Sequence, residues 1–404
     1  MNQHEATVSD PRDAVIARIC ARAWSGSAPT VARLRDAGFG PDRWPDWAGL
    51  ASVAPLDKRD IPALQRAAPP LGGLDAPREG AGCLFLSAGG FMEPDMPAAE
   101  ARLADFFRAS GLNADDVVLN GFSYHLTPAG LLFHNALLRV GCRVLPGGPQ
   151  NTEQVLELAH RGRATAFTGI SGHLKFLVDR AMQTGLRIGE AIPLRIAFAG
   201  GEPFGGPIRE ELTTRFGIAC FDYYGTADLG VVAGERADAE GLELLPGVVA
   251  EVLDIATGAR LPDGETGHLV LSVDNPNYPM LRLATGDLAA LAPGAPRRML
   301  GPFGRVDASA RVRGLLLHEA QVRRALAAHP AISAGYVEVS RVDGRDLLAA
   351  ALVIAADGAF PAADAAFRAR FPELCRLSLD SVHQVAEAAG PLVRDLRPHA
   401  EKRA

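Results

Sequence analysis

The sequence predicts an α/β protein with a large N-terminal domain on a parallel β-sheet, a smaller β region, and a small α+β domain at the C-terminus. Short apolar runs alternate with helical stretches between about residues 115 and 225. Strands separated by turn signals follow Glu235, and residues 309–404 have the order strand–helix–strand–strand–helix–strand. Alternating strands and helices with short links are typical of right-handed βαβ units, whose strands form a parallel sheet with helices on its faces.

The N-terminal segment is predicted to begin with a helix. In DPRDAVIARICARAW (10–24), Asp10 is suited to cap the helix and Pro11 to occupy its first position, where no backbone N–H is needed. Residues 41–80 are rich in proline and glycine, so we expect them to wrap over the surface.

The parallel sheet is predicted from β-branched or aromatic runs and from the helical stretches between them. The predicted strands are DDVVLN (115–120), CRVLP (142–146), ATAFTG (164–169), LRIAFAG (194–200) and IACFDYY (218–224). The predicted helices are LLFHNALLRV (131–140), TEQVLELAH (152–160), GHLKFLVDRAM (172–182) and PIREELTTRF (207–216).

The pattern changes after Glu235, where VVAEVLD, GHLVLSV and PMLRLA predict an antiparallel β region. The stretch PGAPRRMLGPFG (293–304) is dense in proline and glycine, so it is predicted to be a loop and a hinge. The chain is therefore divided into a large domain, 1–303, a hinge, 304–308, and a small domain, 309–404.

Composition argues against several classes of partner. The chain has 404 residues, a formal net charge of −6 and a pI near 6.0, which gives no reason to expect nucleic acid or an anionic membrane. Its polar start and the lack of an apolar run of about 18 residues predict neither a signal peptide nor a membrane span. Five widely spaced cysteines suit reduced thiols in a cytoplasmic protein, and the sequence leaves a homodimer open.

One predicted strand, LRIAFAG, runs into the unusual sequence GEPFGG. Ligands of an open parallel sheet bind at the carboxyl ends of its strands. Gly200 and Gly201 would let the backbone approach a flat ring, and Glu202 with Pro203 would fix the turn. The alternative is an ordinary strand–helix turn.

A second predicted strand, IACFDYY, runs into GTADLG. Tyr223 or Tyr224 could stack on a base, and Thr226 could bond a phosphate oxygen. Asp228 could hold Mg²⁺, which prefers one or two carboxylates together with phosphate oxygens. The two strand ends together predict a nucleotide whose phosphates carry a metal ion, and an ordinary strand–helix turn is again the alternative.

Further polar side chains follow the first strand of the sheet. His125, next to Tyr124 at a strand-to-helix turn, could contact a ring or a carboxylate, and His173 begins another helix. His134 lies on a mostly apolar helix, where a histidine is more often a core residue than a ligand.

These motifs occur in one order along the chain and resemble the phenylacetate–coenzyme A ligase branch of the adenylate-forming superfamily. The resemblance rests on VLNGFSYHLTPAGLLFHNALLRVGCRVLPGGPQNTEQ, GGEPFGGPIREELTTRFGI, YYGTADLG, ATGDL and GRVDASARVRGLLLHEAQVRRAL, with RDIPALQ near residue 60 as a lead-in. It covers roughly residues 50–400. It implies the adenylate-forming fold, whose small C-terminal domain is mobile, and an enzyme that joins a carboxylic acid to AMP from ATP before passing the acyl group to coenzyme A.

The resemblance also implies roles for individual residues. The implied nucleotide-binding residues are Gly200, Gly201, Glu202, Pro203, Tyr223, Tyr224, Gly225, Thr226, Asp287 and Arg305. The implied acyl pocket contains Tyr124, His125, Thr127, Gly130, Gly169 and His173. The candidate catalytic residues are Asp228, Arg305 and His125.

Several of these roles are specific. Asp287 would accept both ribose hydroxyls, and Arg305 would stabilise the transferring phosphate. Asp307 would be the residue about which the small domain turns, and Arg313 with Gly314 would position the pantetheine arm of coenzyme A. At position 228 the family has glutamate, so the aspartate here keeps the charge and shortens the reach.

Two stretches depart from the family pattern. In the phosphate loop, SAGGFMEP, Ser87, Gly89 and Gly90 keep the frame, but Phe91 and Met92 replace hydroxyl-bearing residues. Glu93 adds a negative charge that would repel phosphate unless Mg²⁺ lay between them.

The second departure is near the C-terminus, in AGPLVRDLRP. The family has a lysine, which bridges the carboxylate and the α-phosphate, where this chain has Pro391. The chain has only three lysines, Lys58, Lys175 and Lys402, and Arg394 is not an equivalent point charge on a flexible stem.

We therefore predict an ATP-dependent ligase that activates an aromatic or other small organic acid, with ATP, Mg²⁺ and coenzyme A as its cofactors. The alternative is an adenylation-deficient relative that binds an acid or an acyl-adenylate, or that loads a carrier protein. The sequence does not identify the acid, and it leaves open whether the acceptor is coenzyme A or a carrier protein.

Overall fold

The computed structural model describes residues 10–78, 81–87, 90–201, 204, 206–237, 239–313, 315–342, 345–355 and 359–397. The chain forms two compact units. The first contains Met1–Glu251, Val270–Ala284 and Gly294–Met299, and the second contains Val252–Leu269, Thr285–Pro293 and Leu300–Ala404. The domain boundary and hinge proposed from the sequence stay predictions.

The helices predicted for 10–24, 131–140, 152–160, 172–182 and 207–216 are all present, with bounds that differ by at most two residues. The described helices are α1 (Pro11–Trp24), α2 (Ala28–Asp36), α3 (Ile61–Ala67), α4 (Pro97–Ala109), α5 (Ala129–Val140), α6 (Thr152–Arg161), α7 (Ser171–Gln183), α8 (Gly206–Phe216), α9 (Glu319–Leu326) and α10 (Phe360–Cys375), with 3₁₀ turns at Gly49–Ser52 and Lys58–Asp60. None of the described helices is long and apolar enough to cross a membrane.

The strands of the first half are β1 (Leu56–Asp57), β2 (Leu84–Leu86), β3 (Met92–Pro94), β4 (Val117–Asn120), β5 (Arg143–Pro146), β6 (Ala166–Gly169), β7 (Ile196–Ala199), β8 (Ala219–Thr226), β9 (Gly230–Arg236) and β10 (Ala239–Leu244). Those of the second half are β11 (Val248–Leu253), β12 (Gly267–Val273), β13 (Met280–Ala292), β14 (Ala295–Arg305), β15 (Ser309–Val312), β16 (Leu315–His318), β17 (Ile332–Val342), β18 (Arg345–Ile354), β19 (Ser381–Gln384) and β20 (Val393–Asp395).

The main sheet of the first unit confirms the predicted α/β architecture. Its strands lie in the order β11-β12-β13-β14-β10-β9-β8-β7-β6-β4-β5, and β1 pairs with β13. The five strands from β5 to β8 are parallel, as the alternation of strands and helices predicts. From β8 onward the pairing becomes antiparallel, through β9 and β10 to β14.

Apolar packing explains why the parallel strands and their helices hold together. A buried cluster on one face of the sheet joins residues of α6, α7 and α8 to strand residues such as Phe167 and Ala197. On the other face Phe106 and Phe107 of α4 contact Phe198 of β7, with ring centroids 5.7 and 4.7 Å apart. The carboxyl ends of β4, β6, β7 and β8 therefore emerge side by side from a rigid base.

The N-terminal helix forms as predicted. Asp10 accepts a hydrogen bond from the backbone N–H of Arg12, and Pro11 occupies the first helical position. Ile16 and Ile19 of α1 are buried in a cluster with Val249 of β11 and Leu281 of β13.

One local prediction is wrong. Residues 293–304 do not form a loop: Gly294, at φ +71°, turns the chain, and β14 follows, paired with β10 through Leu242 and Met299. A partner strand distant in sequence decides the conformation of this segment, whereas proline and glycine content reports only local preference. The alternative considered for the stretch after β8, an ordinary strand–helix turn, does not apply, because β8 and β9 form an antiparallel hairpin.

The second unit contains its own α+β layer. A sheet in the order β19-β18-β17-β20 packs against α9 and α10, and Phe367 and Phe371 fill its core with Val337 and Val339. The hairpin β15–β16 precedes this layer in the chain. The predicted order has one strand before α9 and one after α10, whereas the structure has two at each place, β15 with β16 and β19 with β20; the order between them agrees with the prediction.

Candidate functional site

Asp228 lies in the turn that joins β8 to β9. Leu229 donates its backbone N–H to the carbonyl of Thr226, which closes the turn. The preceding Gly225 has room for no side chain, since a Cβ there would lie 2.7 Å from the carbonyl oxygen of Gly230. The tight hairpin thus fixes the aspartate, which is 1% exposed.

Lys58, which precedes α3, is the partner of this aspartate. Its Nζ lies 2.5 Å from Asp228 Oδ2, and its side chain is 23% exposed. Neither Asp228 oxygen has a partner with hydrogen-bond geometry among the described residues, so this contact is an ion pair rather than an aligned hydrogen bond. The same ammonium lies 5.7 Å from the centre of the Phe91 ring.

The predicted phosphate loop is the turn of the β2–β3 hairpin. Ser87 and Phe91 close it, because Ser87 donates its N–H to the Phe91 carbonyl and Phe91 donates its N–H to Ser87 Oγ, at 2.9 and 3.2 Å. Gly90 adopts φ +77° and donates to the carbonyl of Ser87. Gln65 of α3 holds the hairpin from outside: its side-chain amide donates to the carbonyl of Met92 and accepts from the N–H of Met92, at 2.7 and 2.8 Å.

Glu93 follows this turn on β3 and is 1% exposed. Burial, reinforced by the charge of Asp228, raises the pKa of Glu93 to about 8, while Lys58 and the Ser87 hydroxyl partly offset the shift. The hydroxyl lies close without being aligned, because neither carboxylate oxygen has a hydrogen-bond partner among the described residues. Burial and the charges of Asp228 and Glu93 also raise the pKa of Tyr278.

The end of β7 lies against the aromatic residues of β8. The ring of Tyr223 covers Gly200, where a Cβ would come within 2.2 Å of it. Tyr223 is 6% exposed, its ring centroid lies 5.2 Å from that of Phe133, and burial raises its pKa. Tyr224 is buried as well. Both rings therefore belong to the packed base of the site in this structure, and their assignment to adenine stays a prediction.

Asp222 of β8 anchors the segment that follows β7. Its carboxylate accepts the N–H groups of Phe204 and Tyr223, at 3.1 and 2.8 Å. Burial raises the pKa of Asp222 to about 6 in spite of these bonds. Gly201 in this turn adopts φ +82°, which only glycine accepts readily.

The predicted acyl region is organised by Asn120 at the end of β4. Its amide donates to Tyr124 Oη at 2.8 Å and to the carbonyl of Gly130 at 2.9 Å, and Tyr124 Oη lies 3.1 Å from His134 Nδ1. Gly130 packs directly on Ser123, where a Cβ would lie 2.3 Å from the Ser123 carbonyl oxygen. His134 is thus a bonded neighbour of Tyr124 rather than an isolated core histidine.

His125 is exposed and lines a cavity of about 380 Å³ with Tyr124 and residues 146–151. Thr127 donates its N–H to the carbonyl of His125 at 2.8 Å. His173 and Gly169 do not line this cavity, and both lie next to Phe167: the His173 ring is edge-on to Phe167, and Gly169 leaves room for the same ring. Burial lowers the pKa of His173. The predicted acyl residues therefore form two subgroups.

The second unit carries the predicted ribose and phosphate residues. Asp287 and Arg305 form an ion pair, with Oδ1 and Nη1 3.0 Å apart. The TGD stretch lies inside β13 rather than in a turn, and Gly286 adopts φ +81°, where a Cβ would lie 2.5 Å from the Arg305 guanidinium. Asp307 is 71% exposed and lies 3.5 Å from Arg305.

Arg313 is held by several groups of its own unit. It adopts φ +50°, pairs with Asp380 at 2.5 Å, and donates to the carbonyl oxygens of Asp346 and Ser378, at 2.8 and 3.1 Å. These bonds order the loop after β15, and a contact with coenzyme A stays a prediction.

Pro391, where the resemblance implies a lysine in related enzymes, is exposed. Leu392 after it donates its N–H to Glu319 Oε1 at 2.9 Å. Arg394 lies over the ring of Tyr336, 3.2 Å from its centre, and 3.7 Å from Glu338. The guanidinium is therefore engaged within the second unit.

Some predicted residues lie outside the described part of the chain, namely Gly89, Glu202, Pro203, Gly314 and Lys402. Conversely, the sequence reasoning missed Lys58, Gln65 and Tyr278 as neighbours of Asp228 and Glu93. Only the scarcity of lysine could have drawn attention to Lys58, since 170 residues separate it from Asp228.

The chemistry of the donors decides whether a metal would fit. Within the described ranges, no three or more His, Cys, Asp and Glu side chains are grouped so that they could hold a metal ion. A Mg²⁺ ion that arrives with phosphates needs only one or two carboxylates from the protein. Asp228 meets that need, because its buried oxygens lack hydrogen-bond partners in the described structure.

Comparisons with known proteins show which families this chain resembles. Residues 98–276 match the model of the AMP-binding enzyme family. The chain is 28% identical over 326 residues to the phenylacetate–coenzyme A ligase of Aromatoleum evansii, covering 76% of this chain and 72% of that protein. It is 26% identical over 339 residues to the ligase of that name from Thermus thermophilus, covering 78% and 74%.

The fold is shared with solved adenylate-forming enzymes. An open conformation of 2-hydroxyisobutyryl-CoA ligase in complex with 2-HIB-AMP and CoA superposes with a TM-score of 0.79 at 20% identity, over 95% of this chain and 91% of that chain. A benzoate CoA ligase from Burkholderia xenovorans LB400 superposes with a TM-score of 0.54 at 20% identity, over 78% and 68%. Residues 98–276 therefore resemble AMP-binding enzymes, and about three quarters of the chain resembles the phenylacetate–coenzyme A ligases.

Proposed function

We propose that this protein is an ATP-dependent acid–thiol ligase, which activates a small carboxylic acid as its acyl-adenylate and transfers the acyl group to coenzyme A. The observation that carries the proposal is the grouping of Asp228, Lys58 and the phosphate-loop hairpin within a fold shared with such ligases. The similarity to ligases named for phenylacetate extends over three quarters of the chain.

Two steps make up the reaction. The carboxylate oxygen of the acid attacks the α-phosphorus of ATP, and the bond to the β-phosphate oxygen breaks to release pyrophosphate. The thiol of coenzyme A then attacks the acyl carbon, AMP leaves, and the thiol proton passes to solvent. The carboxylate is already a competent nucleophile, so the protein contributes mainly positioning and charge stabilisation.

The first unit would contribute charge next to the triphosphate. Lys58 would turn its ammonium from Asp228 toward phosphate oxygens, because its side chain is partly exposed and its ammonium lies near Phe91 of the phosphate-loop hairpin. Asp228 would hold Mg²⁺. The ion would neutralise phosphate charge and orient the pyrophosphate leaving group. Ser87 and Gly90 would border the phosphates, although their N–H groups are used in closing the hairpin.

The second unit would contribute the sugar and α-phosphate contacts. Asp287 offers a carboxylate whose two oxygens suit a cis-diol, and it is held by Arg305. Arg305 keeps half of its surface exposed and would stabilise the developing charge on the transferring phosphate. For the acid, Tyr124 and His125 are the proposed contacts, because both line the 380 Å³ cavity.

A pyrophosphate-release assay tests the proposal. The full chain is incubated with ATP, Mg²⁺ and a panel of aryl and short-chain acids, and active acids are then offered coenzyme A or a phosphopantetheinyl carrier protein. We expect release that depends on one class of acid and that falls about 10²–10³-fold in Asp228→Ala. Glu100→Gln is the matched control, because Glu100 is also buried in the first unit but binds Asn135 and Arg139. No release with any acid would contradict the ligase assignment.

One observation favours a second candidate function. Pro391 occupies the lysine position, and Phe91 and Met92 replace the hydroxyls of the phosphate loop. An adenylation-deficient protein that binds an acid or an acyl-adenylate would show thermal stabilisation by AMP or by an acid, without pyrophosphate. The same panel therefore separates the two functions.

A further inference from the structure

We propose that Glu93 and Asp228 together form a two-carboxylate divalent-cation site, so that the phosphate loop itself supplies a ligand to the metal of the bound nucleotide. The inference rests on the proposed function, because the cation is taken to be the Mg²⁺ that accompanies ATP. It explains why an acid stands in a loop that would otherwise face phosphate.

The first argument is burial without partners. Glu93 and Asp228 are each 1% exposed, and all four of their carboxylate oxygens lack a hydrogen-bond partner among the described residues. Buried polar groups are almost always paired, and an exception needs an explanation such as a water or an ion. Here two buried carboxylates without hydrogen-bond partners lie close enough to repel each other, which calls for an explanation more strongly than one such group would.

The second argument is the balance of charge. One ammonium, that of Lys58, lies 2.5 Å from Asp228 and acts also on Glu93. It neutralises one of the two carboxylates. A buried charge left without compensation is costly, so a site without the ion favours a protonated Glu93. A divalent cation that displaces this proton compensates both carboxylates and leaves Lys58 available to the phosphates.

The third argument is that Glu93 cannot easily turn away. Phe85 of β2 lies opposite it in the hairpin, and Gln65 bonds both backbone groups of the adjacent Met92. The buried Tyr278 lies within the electrostatic reach of both carboxylates. A carboxylate fixed in this way is suited to a metal ligand, since its position is set before the ion arrives.

Titration of the full chain with Mn²⁺, followed by the EPR signal of the free ion, tests the site directly. The titration is run with and without a non-hydrolysable ATP analogue. We expect Glu93→Gln to weaken Mn²⁺ binding by about tenfold or more in the presence of the analogue, and Asp228→Asn to weaken it at least as much. Glu100→Gln is the matched buried-glutamate control and should leave Mn²⁺ binding unchanged.

The Lys58→Met variant should change the Mn²⁺ affinity in the opposite direction to Glu93→Gln. Removing a competing positive charge should tighten Mn²⁺ binding in the absence of the nucleotide analogue, which a purely structural role of these residues would not produce. Unchanged Mn²⁺ affinity in a folded Glu93→Gln variant would overturn the proposal, as would an equal loss in Glu100→Gln. Circular dichroism establishes that each variant is folded, and Glu93→Asp, with intermediate affinity expected, replaces Glu93→Gln should the latter not fold.

The Mn²⁺ titration and the pyrophosphate-release assay test the two proposals separately. A wild-type protein that binds Mn²⁺ through Glu93 but releases no pyrophosphate would contradict the ligase function alone. A protein that releases pyrophosphate with an acid but binds Mn²⁺ independently of Glu93 would contradict the two-carboxylate site alone.

Discussion

Lys58 supplies the positive charge that faces the two buried carboxylates, Asp228 and Glu93. Of the two lysines in the described ranges, Lys58 pairs with Asp228, whereas Lys175 lies on α7 with Asp179 and Glu211, at 2.5 and 3.2 Å. Pro391 stands where the resemblance implies a lysine, so that lysine is not available to this chain. Within the described ranges, Lys58 is the lysine that lies beside the proposed metal ligand. A mobile ammonium suits this position, because it can leave Asp228 for a phosphate oxygen.

Replacing Lys58 by methionine should therefore lower acid-dependent pyrophosphate release by about 10²–10³-fold, the usual loss when one donor to developing charge is removed. Lys175→Met is the matched control and should keep wild-type rates. The measurement is initial rate at saturating ATP and acid, and Lys58→Arg should recover part of the loss. Equal activity of the two methionine variants would refute the role of Lys58.

His318, at the end of β16, predicts a pH dependence of stability. It is 6% exposed, its ring stacks on Phe303 with centroids 5.6 Å apart, and burial lowers its pKa to about 4 from 6.5. Between these two values the unfolded chain binds a proton that the folded chain does not, so stability falls as the pH falls. The contribution is about 1.4 kcal/mol per pH unit within that window.

Urea unfolding between pH 4 and pH 7 measures this contribution. Wild type should lose stability relative to His318→Phe as the pH is lowered through the window, and the difference should be constant above about pH 7. Parallel curves for the two proteins across the whole range would show that the pKa of His318 is the same in the folded and the unfolded chain.

At the scale of elements, the β2–β3 hairpin depends on Gln65 of α3. Its side chain makes two hydrogen bonds to the backbone of Met92, as a neighbouring strand would. Each hydrogen bond contributes about 1 kcal/mol to the free energy of unfolding. Gln65→Ala should speed hydrogen exchange across residues 84–94 and raise the KM for ATP several-fold, with a smaller effect on kcat. Gln183→Ala, at the exposed end of α7, is the control and should change neither quantity. Unchanged exchange at the hairpin would show that other contacts hold it.

Elements were predictable from the sequence where packing and local preference agree. The strands β4 to β8 are short β-branched or aromatic runs, and the helices between them carry one apolar face, so both patterns point to the same buried sheet. β14 was missed because proline and glycine in residues 293–304 suggest a loop, whereas pairing with β10 makes the segment a strand. The TGD stretch lies within β13, where Gly286 lets Arg305 approach the strand.

At the scale of the whole molecule, the order of the motifs predicted the resemblance to phenylacetate–coenzyme A ligases, but the contacts within the site needed the structure. Asp228 was recognisable because its neighbours in sequence carry the motif. Its pairing with Lys58, and the burial of Glu93 beside both, join segments that are up to 170 residues apart. A sequence pattern read within a window of a few residues contains no information on such pairs.

Pro391 offers a test of how the two half-reactions are divided over the chain. By resemblance, a lysine at this position serves adenylation and not thioester formation, and Pro391 is exposed, so a longer side chain is tolerated. Pro391→Lys should raise acid-dependent ATP–pyrophosphate exchange, by up to about 10²-fold, because it adds a point charge at the position where the family uses one. Thioester formation from a synthetic acyl-adenylate and coenzyme A should stay at the wild-type rate. Ala389→Lys adds the same charge at a nearby exposed position and is the control. Exchange that does not increase in Pro391→Lys, or that increases equally in Ala389→Lys, would show that Pro391 does not occupy the lysine position.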